Sequence, residues 1–197
     1  VRLEDFFFAA TLLGQAFQLT GEGRYAQCLM ELVVDTDTRQ VSGLYGHCHA
    51  SPWCWGRGNA FAAVGMAEAL THVHQHPLRA ALLTNCVAHL EAIATYQDDS
   101  GLWHQLLDDP ATYLEHSATT MFGYAMARGI RLGWLPADTW RPVVDKAWAG
   151  IVQRTGREGE LEQVCVGTGP LPTRKDYVER PFSNGRDDRG GAMALWF

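Results

Sequence analysis

Three glycine turns stand at equal intervals along this chain: Val41-Ser42-Gly43, Asp99-Ser100-Gly101 and Arg157-Glu158-Gly159, with 58 residues from each glycine to the next. Each is followed by an apolar pair or near-pair: Leu44-Tyr45, Leu102-Trp103, Glu160-Leu161. A fixed period marks a repeated supersecondary unit, and this one has room for two helices and two connections. It therefore predicts helical hairpins arranged around an axis. In such an arrangement the loops after the glycine turns gather at one end, and functional side chains are expected there.

The stretches between the turns support helices. Helical patterning runs over 5–19 and 22–36, then 57–73 and 78–96, then 113–132 and 139–154. Segments 38–56 and 98–112 read as turn and loop. Asp138 is placed as the N-cap of the helix at 139–154. Residues 155–188 are rich in Gly, Pro and Arg and read as irregular, with a short strand near 160–166. No alternating pattern is long enough for a large sheet.

The helices differ in texture. Those at 57–70, 117–130 and 190–197 are rich in Gly, Ala and Ser, while those at 78–96 and 139–154 carry ordinary polar faces. Small residues let helix axes approach closely, as an inner ring requires. The expectation is an all-α fold: an (α/α)6 toroid of helical hairpins, formed here by one domain over residues 1–197. A closed ring takes about six hairpins, and at this period the chain supplies about three and a half, so the toroid is expected to be incomplete. The start at Val1 and the end in Gly191-Ala192-Met193-Ala194-Leu195-Trp196-Phe197 carry no ordinary helix signals and suggest a piece of a longer protein.

The net charge is −6 with no basic run, which argues against a nucleic-acid partner. No apolar run is long enough to span a bilayer, so no membrane partner is expected. The five cysteines (28, 48, 54, 86 and 165) are odd in number and scattered, which suits a reducing cytoplasm better than a disulfide framework. Seven tryptophans and six tyrosines suit either core packing or sugar stacking.

The densest chemistry lies between Gly43 and Asn59. Arg57 sits between Gly56 and Gly58, an arrangement suited to a forked grip on a carboxylate, and Trp53 and Trp55 suit a stacking wall. The plain alternative is an aromatic plug with a salt-bridged arginine. His47, Cys48, His49 and Cys54 do not match zinc spacing, and His72, His74 and His76 point in different directions from a helix end. No metal site is expected. For acid–base work, Glu4-Asp5 precedes Phe6-Phe7-Phe8 at the start of a helix, where apolar surroundings would raise a carboxyl pKa. Asp98-Asp99, Asp108-Asp109 and Asp187-Asp188 compete, although turn and capping roles are the usual fate of such aspartates.

Five ordered blocks carry a resemblance. They are Trp55-Gly56-Arg57-Gly58-Asn59, Gly101-Leu102-Trp103-His104-Gln105-Leu106-Leu107-Asp108, Tyr113-Leu114-Glu115-His116-Ser117-Ala118-Thr119, Gly167-Thr168-Gly169 and Arg189-Gly190-Gly191-Ala192. Over nearly its whole length the chain resembles the unsaturated rhamnogalacturonyl hydrolases of glycoside hydrolase family 105, relatives of the family 88 unsaturated glucuronyl hydrolases. The resemblance implies an (α/α)6 barrel, no metal or organic cofactor, and a small acidic oligosaccharide substrate, such as a pectin fragment, ending in a 4,5-unsaturated uronic acid. It further implies hydration of that double bond by a carboxyl acid and base. The catalytic position falls on Glu4, with Asp5 beside it, where relatives read like Asp followed by Asp or Thr. Substrate contacts are expected from His47, Trp55, Arg57, Asn59 and Trp103, with His104 and Glu115 at the rim. Other readings are a non-catalytic carbohydrate-binding form of the fold or a helical scaffold. Uncovered inner faces would favour self-association.

Overall fold

A computed structural model describes all residues 1–197. Eight helices account for most of it: α1 (Leu3–Thr20), α2 (Gly23–Val34), α3 (Gly56–His72), α4 (Arg79–Ala94), α5 (His116–Arg131), α6 (Ala137–Gln153), α7 (Arg174–Val178) and α8 (Asp188–Ala194). Two small antiparallel ribbons complete it. One pairs β1 (Trp103–His104) with β2 (Leu114–Glu115), and the other pairs β3 (Leu161–Cys165) with β4 (Phe182–Gly185). No helix is long and apolar enough to cross a membrane. The five cysteines are all unbonded thiols.

The helices form two layers of an arc. In the inner layer α1 packs on α3, α3 on α5, and α5 on α8; α2, α4 and α6 lie behind them. Composition explains the division. Small-residue α3 has 14 of its 17 residues buried, whereas α6 has only 4 of 17, so α6 can keep a polar face toward water. At Gly65 a Cβ would lie 2.5 Å from the carbonyl carbon of Phe6, closer than real contacts allow. The α1–α3 approach therefore requires a glycine there. Leu3, Phe6, Ala10, Ala63 and Met66 join the core at this seam.

The three repeat turns have one geometry. Gly43, Gly101 and Gly159 have φ of 84°, 89° and 84°, the left-handed region that glycine enters without strain. Each glycine N–H donates to the carbonyl three residues back: Gln40, Asp98 and Gly156. The N–H groups of those same residues donate to Leu44, Leu102 and Glu160. The next side chain on, Tyr45, Trp103 or Leu161, is buried each time. The repeat is thus a structural unit: a glycine turn that plants one large apolar anchor and then leads to the start of an inner helix.

Several element assignments change. The segment at 113–132 begins as strand, and its helix starts only at His116 because Glu115 is the N-cap, its carboxylate accepting from the N–H groups of Ser117 and Ala118. Pro136, not Asp138, caps α6; Asp138 lies in the first turn, where its charge still complements the helix end. The region 155–188 is more regular than its Gly and Pro content suggests, because β3 finds a partner in β4 and Thr173 starts α7 through a reciprocal cap with Asp176. The last helix starts earlier than expected, at Asp188, with Asp187 as its cap.

Candidate active site

The starts of α1, α3 and α8 meet at one cavity, Arg57 ties the start of α5 to it, and the loops after the glycine turns bond there through His47, Gln105 and the Gly167-Thr168 turn. The helix N-termini bring partial positive charge there, which favours an anionic ligand. The cavity, of about 370 Å³, is lined by Glu4, Phe7, Phe8, Trp55, Arg57, Phe61, Met121, Gly167, Thr168, Arg189 and Met193.

Its most polar feature is a hydrogen-bonded chain. Leu3 N–H donates to the carbonyl of His47, pinning the first turn of α1 to the repeat loop. This sets His47 Nε2 at 3.0 and 3.1 Å from the two carboxylate oxygens of Glu4. On the other side of the ring, Nδ1 lies 2.6 Å from Tyr177 Oη. His47 and Tyr177 are completely buried. The His47 imidazole lies 4.7 Å from the Trp55 ring, and the Arg57 guanidinium sits 4.9 Å over the same indole.

Burial pushes the Glu4 carboxyl toward the neutral form. The hydrogen bond and charge of His47 act the other way and prevail, so the carboxyl titrates below its ordinary range. This corrects the expectation of a raised pKa at the Phe-rich start of α1. Burial does desolvate the acid, but the hydrogen bond between Glu4 and His47, 43 residues apart, outweighs it.

Arg57 reaches the cavity but does not present a free fork. Its Nη1 donates to Ser117 Oγ and the Cys165 carbonyl, and its Nη2 to the Val166 carbonyl at 2.7 Å. It thereby holds the end of β3 and the Gly167-Thr168 turn against α3 and α5. Arg189 is the second arginine on the cavity wall. It follows the cap of α8 by two residues, as Arg57 follows the cap of α3, and each precedes a glycine. Asp187 receives the Arg189 guanidinium and the α8 cap bonds. The Arg189 hydrogen bond, before any other influence, holds the Asp187 carboxyl far below the ordinary carboxylate range, so it is a fixed charge and not a proton donor.

Glu4, His47, Trp55 and Arg57 are brought together at one site. Five other candidates do not line the cavity, and each has an internal hydrogen-bond partner. Asp5 accepts from the backbone N–H of Arg2 at 2.8 Å. Asn59 bridges both backbone polar groups of Tyr45 and the Trp55 carbonyl. Trp103 is a core residue whose indole N–H donates to the Ile93 carbonyl. His104 Nδ1 bonds the Thr112 carbonyl at 2.6 Å. Glu115, fully buried, accepts from Ser117 and Ala118 and from the Cys165 N–H at 2.8 Å, joining α5 to β3.

The remaining candidates also have local roles. His49 pairs with Asp37, and the Cys54 thiol donates to Gln40 while burial pushes its pKa to about 12. Asp98 and Asp109 accept from backbone N–H groups two residues on, as turn aspartates do. The residues missed in the sequence are Phe7, Phe8, Phe61, Met121, Met193, Arg189 and Tyr177. Arg189 carried a legible signal, the Arg-Gly start of an inner helix. Tyr177 carried none, since it lies 130 residues from the histidine it meets.

The model of Glycosyl Hydrolase Family 88 matches residues 40–197. The unsaturated rhamnogalacturonyl hydrolase YesR of Bacillus subtilis is 32% identical over 165 residues, covering 80% of this chain and 46% of that protein. An unsaturated 3S-rhamnoglycuronyl hydrolase of an Alteromonas species is 26% identical over 131 residues, covering 64% and 32%. Among solved structures, a possible member of glycoside hydrolase family 105 from Salmonella enterica superposes on all of this chain and 55% of its own. Its TM-score is 0.90 and its identity 28%. The chain thus spans about half the length of YesR and of that structure, and about a third of the Alteromonas enzyme.

Proposed function

This chain belongs to glycosyl hydrolase family 88, and from that premise we propose that it carries the catalytic half-site of a hydrolase that removes a 4,5-unsaturated uronic acid from the end of an acidic oligosaccharide. The observation that supports this most is Glu4, paired with buried His47, on the wall of a cavity lined by aromatic rings and two arginines. Aromatic faces suit a flat unsaturated ring. Helix N-termini and Arg189 suit its carboxylate.

The reaction needs a proton at C4 of the vinyl ether and a water at C5. Glu4 is the group to supply the first and then to assist the second. The C5 hemiketal so formed collapses, the ring opens, and the glycosidic oxygen leaves with its sugar. His47 favours the ionised form of Glu4. A substrate carboxylate entering beside it raises its proton affinity by like-charge repulsion, so the acid form is favoured only when substrate is present. The YesR likeness supports a rhamnose-linked, pectin-derived substrate. The unbonded thiols support a reducing compartment such as the cytoplasm.

One feature favours a second reading, a carbohydrate-binding protein without turnover: Glu4 rests below, not above, its ordinary pKa. A single assay separates the two. Hydrolysis of an unsaturated uronyl disaccharide removes the ultraviolet absorbance of its conjugated double bond. We expect loss of absorbance with the native chain and a fall of about 10²–10⁴-fold in kcat for Glu4→Gln, at similar KM. Saturable binding without any loss of absorbance would establish the second reading instead.

A further inference from the structure

The hydrogen-bond inventory around His47 contains one more residue than acid–base chemistry at Glu4 requires. Tyr177 belongs to α7, in a part of the chain remote from both partners, yet its hydroxyl lies 2.6 Å from His47 Nδ1 inside the protein. The hydroxyl is itself held. Leu171 N–H donates to Tyr177 Oη at 3.2 Å, and the Leu171 carbonyl accepts from Ser51 Oγ at 2.6 Å. The loop is anchored further by Arg174, whose guanidinium lies 2.8 Å from Asp109. Tyr177 is thus fixed from two sides, and no solvent reaches the imidazole.

Proton counting then constrains the ring. His47 Nε2 faces both oxygens of Glu4 and must carry a hydrogen to satisfy them. Tyr177 Oη already accepts from Leu171, so its single proton is free to be given. The acceptor beside it is Nδ1, provided Nδ1 keeps its lone pair. If Nδ1 is protonated as well, Oη accepts from it instead, and Nε2 still donates to Glu4.

We infer that Tyr177 is a positioning residue: by donating to Nδ1 it holds the neutral form of His47 in the tautomer with hydrogen on Nε2, so that His47 donates to Glu4 in either protonation state of the ring. The inference rests on the Glu4–His47 site but not on turnover. With this lock, His47 donates to Glu4 whether the carboxyl is ionised or protonated. The carboxyl group thus stays anchored at the cavity wall. Without the lock the ring can place its hydrogen on Nδ1 and turn a lone pair toward Glu4.

The test is direct. Long-range proton–nitrogen correlation spectra of the whole chain, labelled at histidine and recorded slightly above neutral pH, distinguish ring nitrogens that carry hydrogen from those that do not. His47→Gln identifies the signals. Native protein should show hydrogen on Nε2 throughout, and none on Nδ1 once the ring is neutral. Tyr177→Phe, a near-isosteric change, should shift the tautomer ratio toward Nδ1–H by about five- to tenfold, the equivalent of one neutral hydrogen bond. Hydrogen on Nδ1 and none on Nε2 in the native protein overturns the inference. So does a Tyr177→Phe spectrum identical to the native one. If that variant fails to fold, the native spectrum alone decides. The expected spectrum in a chain with no turnover would sink the hydrolase reading and leave the tautomer lock standing. An unexpected spectrum in an active chain would do the reverse.

Discussion

Acidification should destabilise this fold well before its carboxylates are protonated, and His89 is the principal cause. It lies in α4, completely buried, edge-on to Tyr45 with ring centroids 4.8 Å apart. Its Nδ1 is 3.0 Å from the Gly43 carbonyl and its Nε2 3.2 Å from the Asn59 carbonyl. It thus ties the first glycine turn to α3. Two carbonyls would welcome two N–H groups, which only an imidazolium has. The burial of a charge costs more than the second hydrogen bond returns, about 1 kcal/mol, so the ring stays neutral. Desolvation takes its pKa from 6.5 down to about 4, against smaller upward pulls from the two carbonyls.

The folded pKa lies below the unfolded one, so the unfolded chain binds the proton first. Stability from this group is fully present above about pH 6.5 and is lost as pH falls toward 4. At 1.36 kcal/mol per unit, the loss relative to neutral pH is about 2 kcal/mol near pH 5 and about 3 kcal/mol near pH 4. That is a large part of the stability of a small domain. Burial likewise lowers the His116 pKa, which adds in the same direction. Glu4 is also lowered, but it contributes only where carboxylates titrate, at the acid end of the range. Urea unfolding at several pH values, with m held common, measures the slope. His89→Gln should be less stable at neutral pH and should lose most of the slope between pH 7 and 5. A native profile flat over that interval, or a variant with an unchanged slope, refutes the reasoning.

Three further outcomes are expected. Arg57→Ala should lower stability by about 1.5–3 kcal/mol and weaken uronate binding, because it frees the Cys165–Val166 carbonyls from α3; a thermal melt and a titration with unsaturated disaccharide read the two effects. Gly65→Ala should cost about 1–3 kcal/mol or more, since its Cβ meets the Phe6 backbone and helices cannot yield as a side-chain tip can; an unchanged denaturation midpoint would contradict this. The protein should self-associate with rising concentration through the apolar surface formed by Trp148, Val152 and Leu195, and Leu195→Glu should reduce the effect; sedimentation velocity with a single concentration-independent monomer boundary would count against it.

Local rules made much of this legible in advance. The glycine period, the small-residue texture of α3 and α5, and the start of the inner helices all depend on neighbours a few residues apart, so the layered helical arc could be read from order and spacing. The grouping of Glu4, His47, Trp55 and Arg57 followed from the same period, because each lies near a repeat loop or an inner helix start. Only tertiary structure decided what each group does there. Glu115 and Asn59 look like site residues in sequence, yet their polar atoms are consumed in joining elements. Arg57 looks like a free fork and holds carbonyls from a strand 108 residues away. Tyr177 looks like one aromatic among many and touches the histidine at the centre. A pKa, a tautomer and a free valence depend on which partners arrive from distant parts of the chain. Sequence periodicity specifies where the backbone goes, and it leaves open which side chains spend their hydrogen bonds on one another.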